Sequence, residues 1–154
     1  MKPKTILMTL AVVLAGAAVG FAADMNMGTW KLNEAKSKLA PGGTKNTAVV
    51  YEAAGDMVKI TVDGIDGDGK PVHHEWTGKY DGKDYPVTGD PTSDARSYKS
   101  VNPRTMTFAV KKDGKVTLTG RIVLAADGKS RTVLTSWTDS KGKPAKSSAV
   151  YDKQ

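Results

Sequence analysis

The chain has 154 residues, of which 39% are hydrophobic and 25% charged, with 23 Lys and Arg against 16 Asp and Glu and no cysteine. That length suits one domain, and the lack of cysteine excludes disulfides and thiolate chemistry. The +7 charge is spread over scattered lysines with only four arginines, Arg96, Arg104, Arg121 and Arg131, so a clustered polyanion-binding stripe and a nucleic-acid partner are not expected.

The N-terminal residues read as an export signal. Lys2 and Lys4 form a short basic start, Ile6 to Val19 is an uncharged apolar run, and Gly20 and Ala22 are small residues before a cut after Ala22. No cysteine follows the run, so the lipid-modified form of such a leader is not expected. The expected division is a signal peptide at 1–22 and one domain at 23–154, placed in the periplasm or secreted. No later segment is apolar enough to span a membrane as a helix.

Glycine turns then punctuate the chain. Asp-Gly-Lys recurs at 68–70, 81–83, 113–115 and 127–129, with Lys-Gly-Lys at 141–143. Asp-Gly between alternating runs signals a tight hairpin in which both central residues take φ > 0. The breaks separate candidate strands at 28–33, 46–53, 56–63, 71–80, 84–88, 94–100, 104–111, 115–125, 130–138 and 145–152. Period-2 alternation gives each strand a dry face and a wet face. Val58, Ile60 and Val62 share one face; so do Met106, Phe108 and Val110, and so do Val116, Leu118, Ile122 and Leu124. The one helical candidate is a turn at Asn33–Leu39, capped by Asn33 and stopped by Pro41-Gly42-Gly43. Without crossover helices the sheet must be antiparallel. The fold expected is all-β: a single antiparallel up-and-down β-barrel of about eight to ten strands. Its closure is expected as pairing of the first and last strands around Trp30 and Tyr151. A two-sheet sandwich is the competing architecture.

The chemically richest segment is Val72 to Tyr80. On a strand, His74, Trp76, Gly78 and Tyr80 point inward, while His73, Glu75, Thr77 and Lys79 face water. The inward row can line an amphipathic pocket or simply fill a core. Ile60, Met106, Phe108 and Leu118 from facing strands would supply apolar walls. His74, Tyr80 or Arg96 would orient a polar head. Arg96 is expected on the solvated side; turned inward, it needs a carboxylate ligand or Asp94 as counter-charge.

Other chemistries find little footing. Adjacent histidines on a strand diverge, and there is no third histidine to complete a zinc site, so no metal is expected. Asp66-Gly67-Asp68-Gly69 is explained as turn chemistry before calcium. No nucleophile elbow, paired acid residues or phosphate loop is present, so neither an enzyme nor a cofactor is expected. If the chain were an enzyme, its centre would be His74 with Tyr80.

Gly28-Thr29-Trp30 resembles the Gly-x-Trp motif that opens the first strand of lipocalins. The longer opening, Gly28 to Lys38, is similar to that of small secreted bacterial proteins described as lipocalin-like. The resemblance implies an up-and-down barrel with Gly28 and Trp30 closing one end and a small apolar or amphipathic ligand inside. It also implies an Arg late in the barrel lying over the Trp; the final segment 145–152 offers Lys146 and no Arg. The alternative is a solid-cored structural module of the cell envelope that meets anionic polymers weakly through its lysines.

Overall fold

The computed structural model describes residues 24–154, so the expected leader at 1–22 lies outside the described residues. Ten strands follow in chain order: β1 (Gly28–Lys38), β2 (Lys45–Ala54), β3 (Met57–Ile65), β4 (Pro71–Gly78), β5 (Tyr85–Thr88), β6 (Ala95–Asn102), β7 (Thr105–Lys112), β8 (Lys115–Leu124), β9 (Ser130–Thr138) and β10 (Pro144–Lys153). Each expected strand is present. The up-and-down meander closes when β1 pairs with β10, so every strand has two antiparallel neighbours. Trp30 faces Lys153 and Leu32 faces Tyr151 across that seam. Closure removes the free edges that would otherwise recruit other chains. The sandwich is thereby excluded.

Alternation places the core inside the barrel. Trp30, Val49, Tyr51, Ile60, Val62, Trp76, Tyr98, Met106, Ile122, Leu124 and Tyr151 are buried and pack as one cluster. One of the expected alternations needs correction. Val116 is 53% exposed, because Val110 faces Leu118 whereas Lys111 faces Val116. Thr117 is the extra residue of a bulge, and a one-residue slip turns Val116 to the outer face.

The helical turn expected at Asn33–Leu39 is absent; β1 runs on to Lys38. The cap bond does form, with Lys36 N donating to Asn33 Oδ1 at 3.2 Å. No helix follows it, because Val150 N donates to Ser37 Oγ at 2.8 Å and Lys38 rejoins Ser148. The segment is a wide bulge in which one local Asn bond is kept and the ladder resumes.

The hairpin turns are also of more than one kind. Asp113 and Gly114 both have positive φ, 50° and 77°, as a two-residue Asp-Gly hairpin needs. At 66–70 and 139–143 only the glycine is left-handed. There, Asp66 Oδ1 accepts from Asp68 N and Lys70 N, and Asp139 Oδ1 accepts from Lys141 N and Lys143 N, all at 2.9 Å. These aspartates hold longer turns by side-chain bonds to the backbone.

Gly64 sits where β2 bulges between Asn46 and Ala48. A Cβ there would overlap the Lys45 carbonyl oxygen and lie 3.0 Å from Asn46 Cα. Backbone cannot swing aside as a side chain can, so Gly64→Ala should destabilise the fold by about 1–3 kcal/mol in urea titrations. An unchanged midpoint would show that the two strands do not approach so closely.

Candidate functional site

One end of the barrel is floored by the segment before β1. Asn26 is buried, and its carbonyl accepts from Trp30 Nε1 at 2.7 Å. Gly28 begins β1 with φ 106°, a conformation natural to glycine. Trp30 is fully buried and carries Arg131 of β9 on its face, with the guanidinium carbon 4.6 Å from the ring centroid. Tyr51 and Tyr151 also flank that guanidinium, at 4.7 Å and 5.4 Å. An arginine does lie over Trp30, but it comes from β9 and not from 145–152. Its signal was its parity: Arg131, Val133 and Trp137 alternate inward against Thr132, Leu134 and Ser136.

Above this floor lies a cavity of about 60 Å³. Its walls are apolar at Val49, Ile60, Val62, Phe108, Ile122 and Val133. Its polar lining comes from Asn46, Tyr51, Tyr98, Tyr151, Arg96 and Arg131. Burial pushes the Tyr51 phenol up to about 12, against a smaller opposing pull from Arg131, and pushes Tyr151 to about 12 in the same way. Both phenols are therefore neutral at physiological pH.

Arg96 is buried, which corrects the solvated placement expected for it. Its counter-charge is Asp90, with Nη2 to Oδ2 at 3.5 Å, and not Asp94. Asp94 is exposed and accepts from Asp113 N at 2.9 Å. Asp90 is itself held by Thr92 N at 2.8 Å and by the hydroxyls of Thr92 and Ser93. The Gly89-Asp90-Pro91 turn thus folds a carboxylate back over an inward arginine, which strand parity alone does not reveal. Arg96 Nη1 lies 3.3 Å from His74 Nε2, and donates to it when the ring carries its proton on Nδ1. Burial, with Arg96 second, lowers the His74 pKa to about 4.

The sequence-derived candidates are distributed as follows. Ile60, Phe108 and Arg96 line the cavity, and His74 reaches it through Arg96. Trp76 is buried beside it, donating from Nε1 to Arg96 O at 2.9 Å and meeting Tyr98 edge-on at 4.7 Å. Met106 is core, and Tyr80 packs on the core beside Tyr98. Leu118 lies apart, half-buried with Trp137 in a shallow groove at the opposite rim. Arg131, Tyr51 and Tyr151 were not among the candidates and form the cavity's polar floor. His73 faces out, its Nδ1 2.6 Å from Asp63 Oδ1, and no group of three metal-ligating side chains gathers among the described residues.

No protein-family model and no curated protein matches the chain. Among solved structures, EF1p2_mFAP2b bound to DFHBI is similar in fold, at 12% identity and TM-score 0.51, over 86% of this chain and 97% of that one. A redesigned beta barrel, mFAP1, bound to DFHBI, aligns at 15% identity and TM-score 0.45 over 86% and 98%. At such identity the first likeness shows a shared barrel fold alone.

The His74 pKa fixes a pH dependence. Above its ordinary value of 6.5 the ring is neutral in both states; between 6.5 and about 4 the unfolded chain takes up a proton that the folded chain refuses. Stability therefore falls as pH drops through that window and levels off below it. His73 acts in the opposite sense, because its bond to Asp63 raises its pKa and its contribution is lost as pH rises through the raised value. The comparison that isolates the buried ring is wild type against His74→Gln. Between about pH 7 and about pH 5, wild type should lose on the order of 1–2 kcal/mol more in urea titrations. Equal losses would mean that the ring accepts its proton freely in the fold.

Proposed function

We propose that this chain is an exported, lipocalin-like, non-enzymatic binding protein that holds one small amphipathic molecule inside its barrel. The observation that carries this reading is the lining of the interior cavity. A core built for stability alone gains most from apolar, well-packed side chains. Here two guanidiniums, three tyrosines and an asparagine face an internal space whose other walls are aliphatic and aromatic. Convergent polar groups in an apolar cavity are the ordinary composition of a small-molecule site.

The space limits the ligand. A cavity of about 60 Å³ has room for a head group, and a longer body needs a wall to yield. Phe108 is the wall suited to that. Its ring lies directly against Gly120, where a Cβ would overlap it, and it stacks on Tyr98 at 5.5 Å. Only a half-buried side chain, with no backbone, has to move.

The dense packing of Trp30, Trp76, Ile60 and Leu124 favours a second reading, a solid-cored envelope module. Under it, contact with anionic envelope polymers runs through scattered lysines and disappears at several hundred millimolar salt, where exposed charges are screened within about 10 Å or less.

Native mass spectrometry of the protein purified from its own source tests the first reading. A one-to-one small-molecule adduct is expected, persisting in high salt and weakened in His74→Ala. A bare mass, with polymer binding that salt abolishes, would transfer the case to the second reading. A hydrolytic or isomerase activity that vanishes in folded His74→Ala would overturn the non-enzymatic assignment.

A further inference from the structure

We infer that the interior cavity is an anion site: Arg131 and Arg96 hold a planar carboxylate-type oxyanion there. The inference rests on the reading of the barrel as a binding protein and names the head group that it takes.

Arg131 is 2% exposed and Arg96 7%. A buried charge requires partners, since its lost hydration is otherwise uncompensated. The aromatic rings around Arg131 meet that need only in part. Trp30, Tyr51 and Tyr151 offer their π-systems to the cation, which is where a ring quadrupole attracts it. A guanidinium also carries five N–H donors, all in its own plane and directed outward. Among the described residues, Nε and Nη1 of Arg131 meet no acceptor, and neither does Nε of Arg96. None of the ion pairs among the described residues includes Arg131. The one carboxylate paired with Arg96, Asp90, approaches a different nitrogen, Nη2.

Both side chains line the same cavity. Its 60 Å³ corresponds to about four to six water-sized atoms, given that one such atom needs roughly 10–15 Å³. That is the size of a carboxylate with one or two carbons attached. A planar oxyanion matches guanidinium donors in geometry, because parallel N–H groups reach both of its oxygens at once. The phenols of Tyr51 and Tyr151 are neutral and cannot serve as the counter-charge; Tyr151 already donates its hydroxyl to Asn46 O at 2.9 Å, so the hydroxyl that can donate to one is that of Tyr51. The aliphatic walls Ile60, Val62 and Ile122 suit the carbon end of such a molecule.

The same chemistry could come from a free small carboxylate or from the head of a longer one, and chain length separates them. The full chain is titrated at constant ionic strength with 13C-labelled acetate, with hexanoate, and with acetamide, the neutral isostere of acetate. Acetate is expected to saturate at one per chain, with nuclear Overhauser contacts to the rings of Tyr51 and Tyr151, and to bind at least tenfold more tightly than acetamide. Tighter hexanoate identifies the head of a longer amphiphile; exclusion of hexanoate identifies a free small anion. Arg131→Met, which keeps an unbranched side chain over Trp30, should lose acetate selectivity. If that variant does not fold, the ratio of acetate to acetamide in wild type decides alone. Equal binding of acetate and acetamide would overturn the anion site and leave the binding barrel standing. Entry of none of the three would overturn both.

Discussion

The structure depends on closing a ten-stranded meander upon itself, and the contact that fixes the closure is Arg131 lying on Trp30. The four side chains of that stack come from β1, β2, β9 and β10, the strands on either side of the seam. A register slip on any of them would turn its member outward. The stack is therefore a register device as much as an energetic one. Its cation–π attraction is about 2 kcal/mol when desolvated, whereas removing a charge from water costs several. On balance such a group is placed for specificity, and the net stability comes from the aromatic and aliphatic surface buried around it.

The same economy of space runs through the interior. Trp76, Tyr98 and Phe108 pack edge to face and stacked, at centroid separations of 4.7 and 5.5 Å. They fit because glycines stand beside them. A Cβ on Gly78 would lie 2.5 Å from the Trp76 ring and 2.6 Å from that of Tyr85, and one on Gly120 would overlap Phe108. Large rings over bare backbone fill a barrel of this width without straining the strands. What they leave is a small remnant with polar walls, so the capacity of the barrel is set by aromatic placement and not by strand number.

Much of this was legible in the sequence. Turn residues and period-2 alternation are local signals, and they located all ten strands and the up-and-down order. The errors arose where a local signal and a distant partner compete. Asn33 made its cap bond with Lys36, yet the ladder to β10 decided the conformation. Val116 had inward parity until the bulge at Thr117 shifted the count. Of the candidate site, the strand-parity residues were legible: His74, Trp76, Ile60 and Phe108 face inward as alternation requires. The two arginines were not. Burying Arg96 looked too costly because its partner, Asp90, comes from a turn whose fold-back no periodicity encodes. Arg131 has inward parity on β9, but the rings that accept its charge, Trp30, Tyr51 and Tyr151, come from three other strands and no local pattern encodes them.

The polar interior is a consequence of these two arginines being held differently. Arg96 sits in a chain of paired groups, from His74 through its own guanidinium to Asp90 and the hydroxyls of Thr92 and Ser93. That chain fixes the Gly89–Asp94 turn against the barrel wall, while burial, with Arg96 second, keeps His74 neutral. Arg131 has aromatic faces instead, and among the described residues its Nε and Nη1 meet no acceptor. Because Arg131 is already buried, its desolvation is met during folding and not when a neighbouring group arrives. This separates the interior from a merely imperfect core. An imperfect core leaves voids beside apolar side chains, where relaxation can shrink them. Here the void adjoins two guanidiniums, whose unmet donors favour filling it with an acceptor over collapsing it.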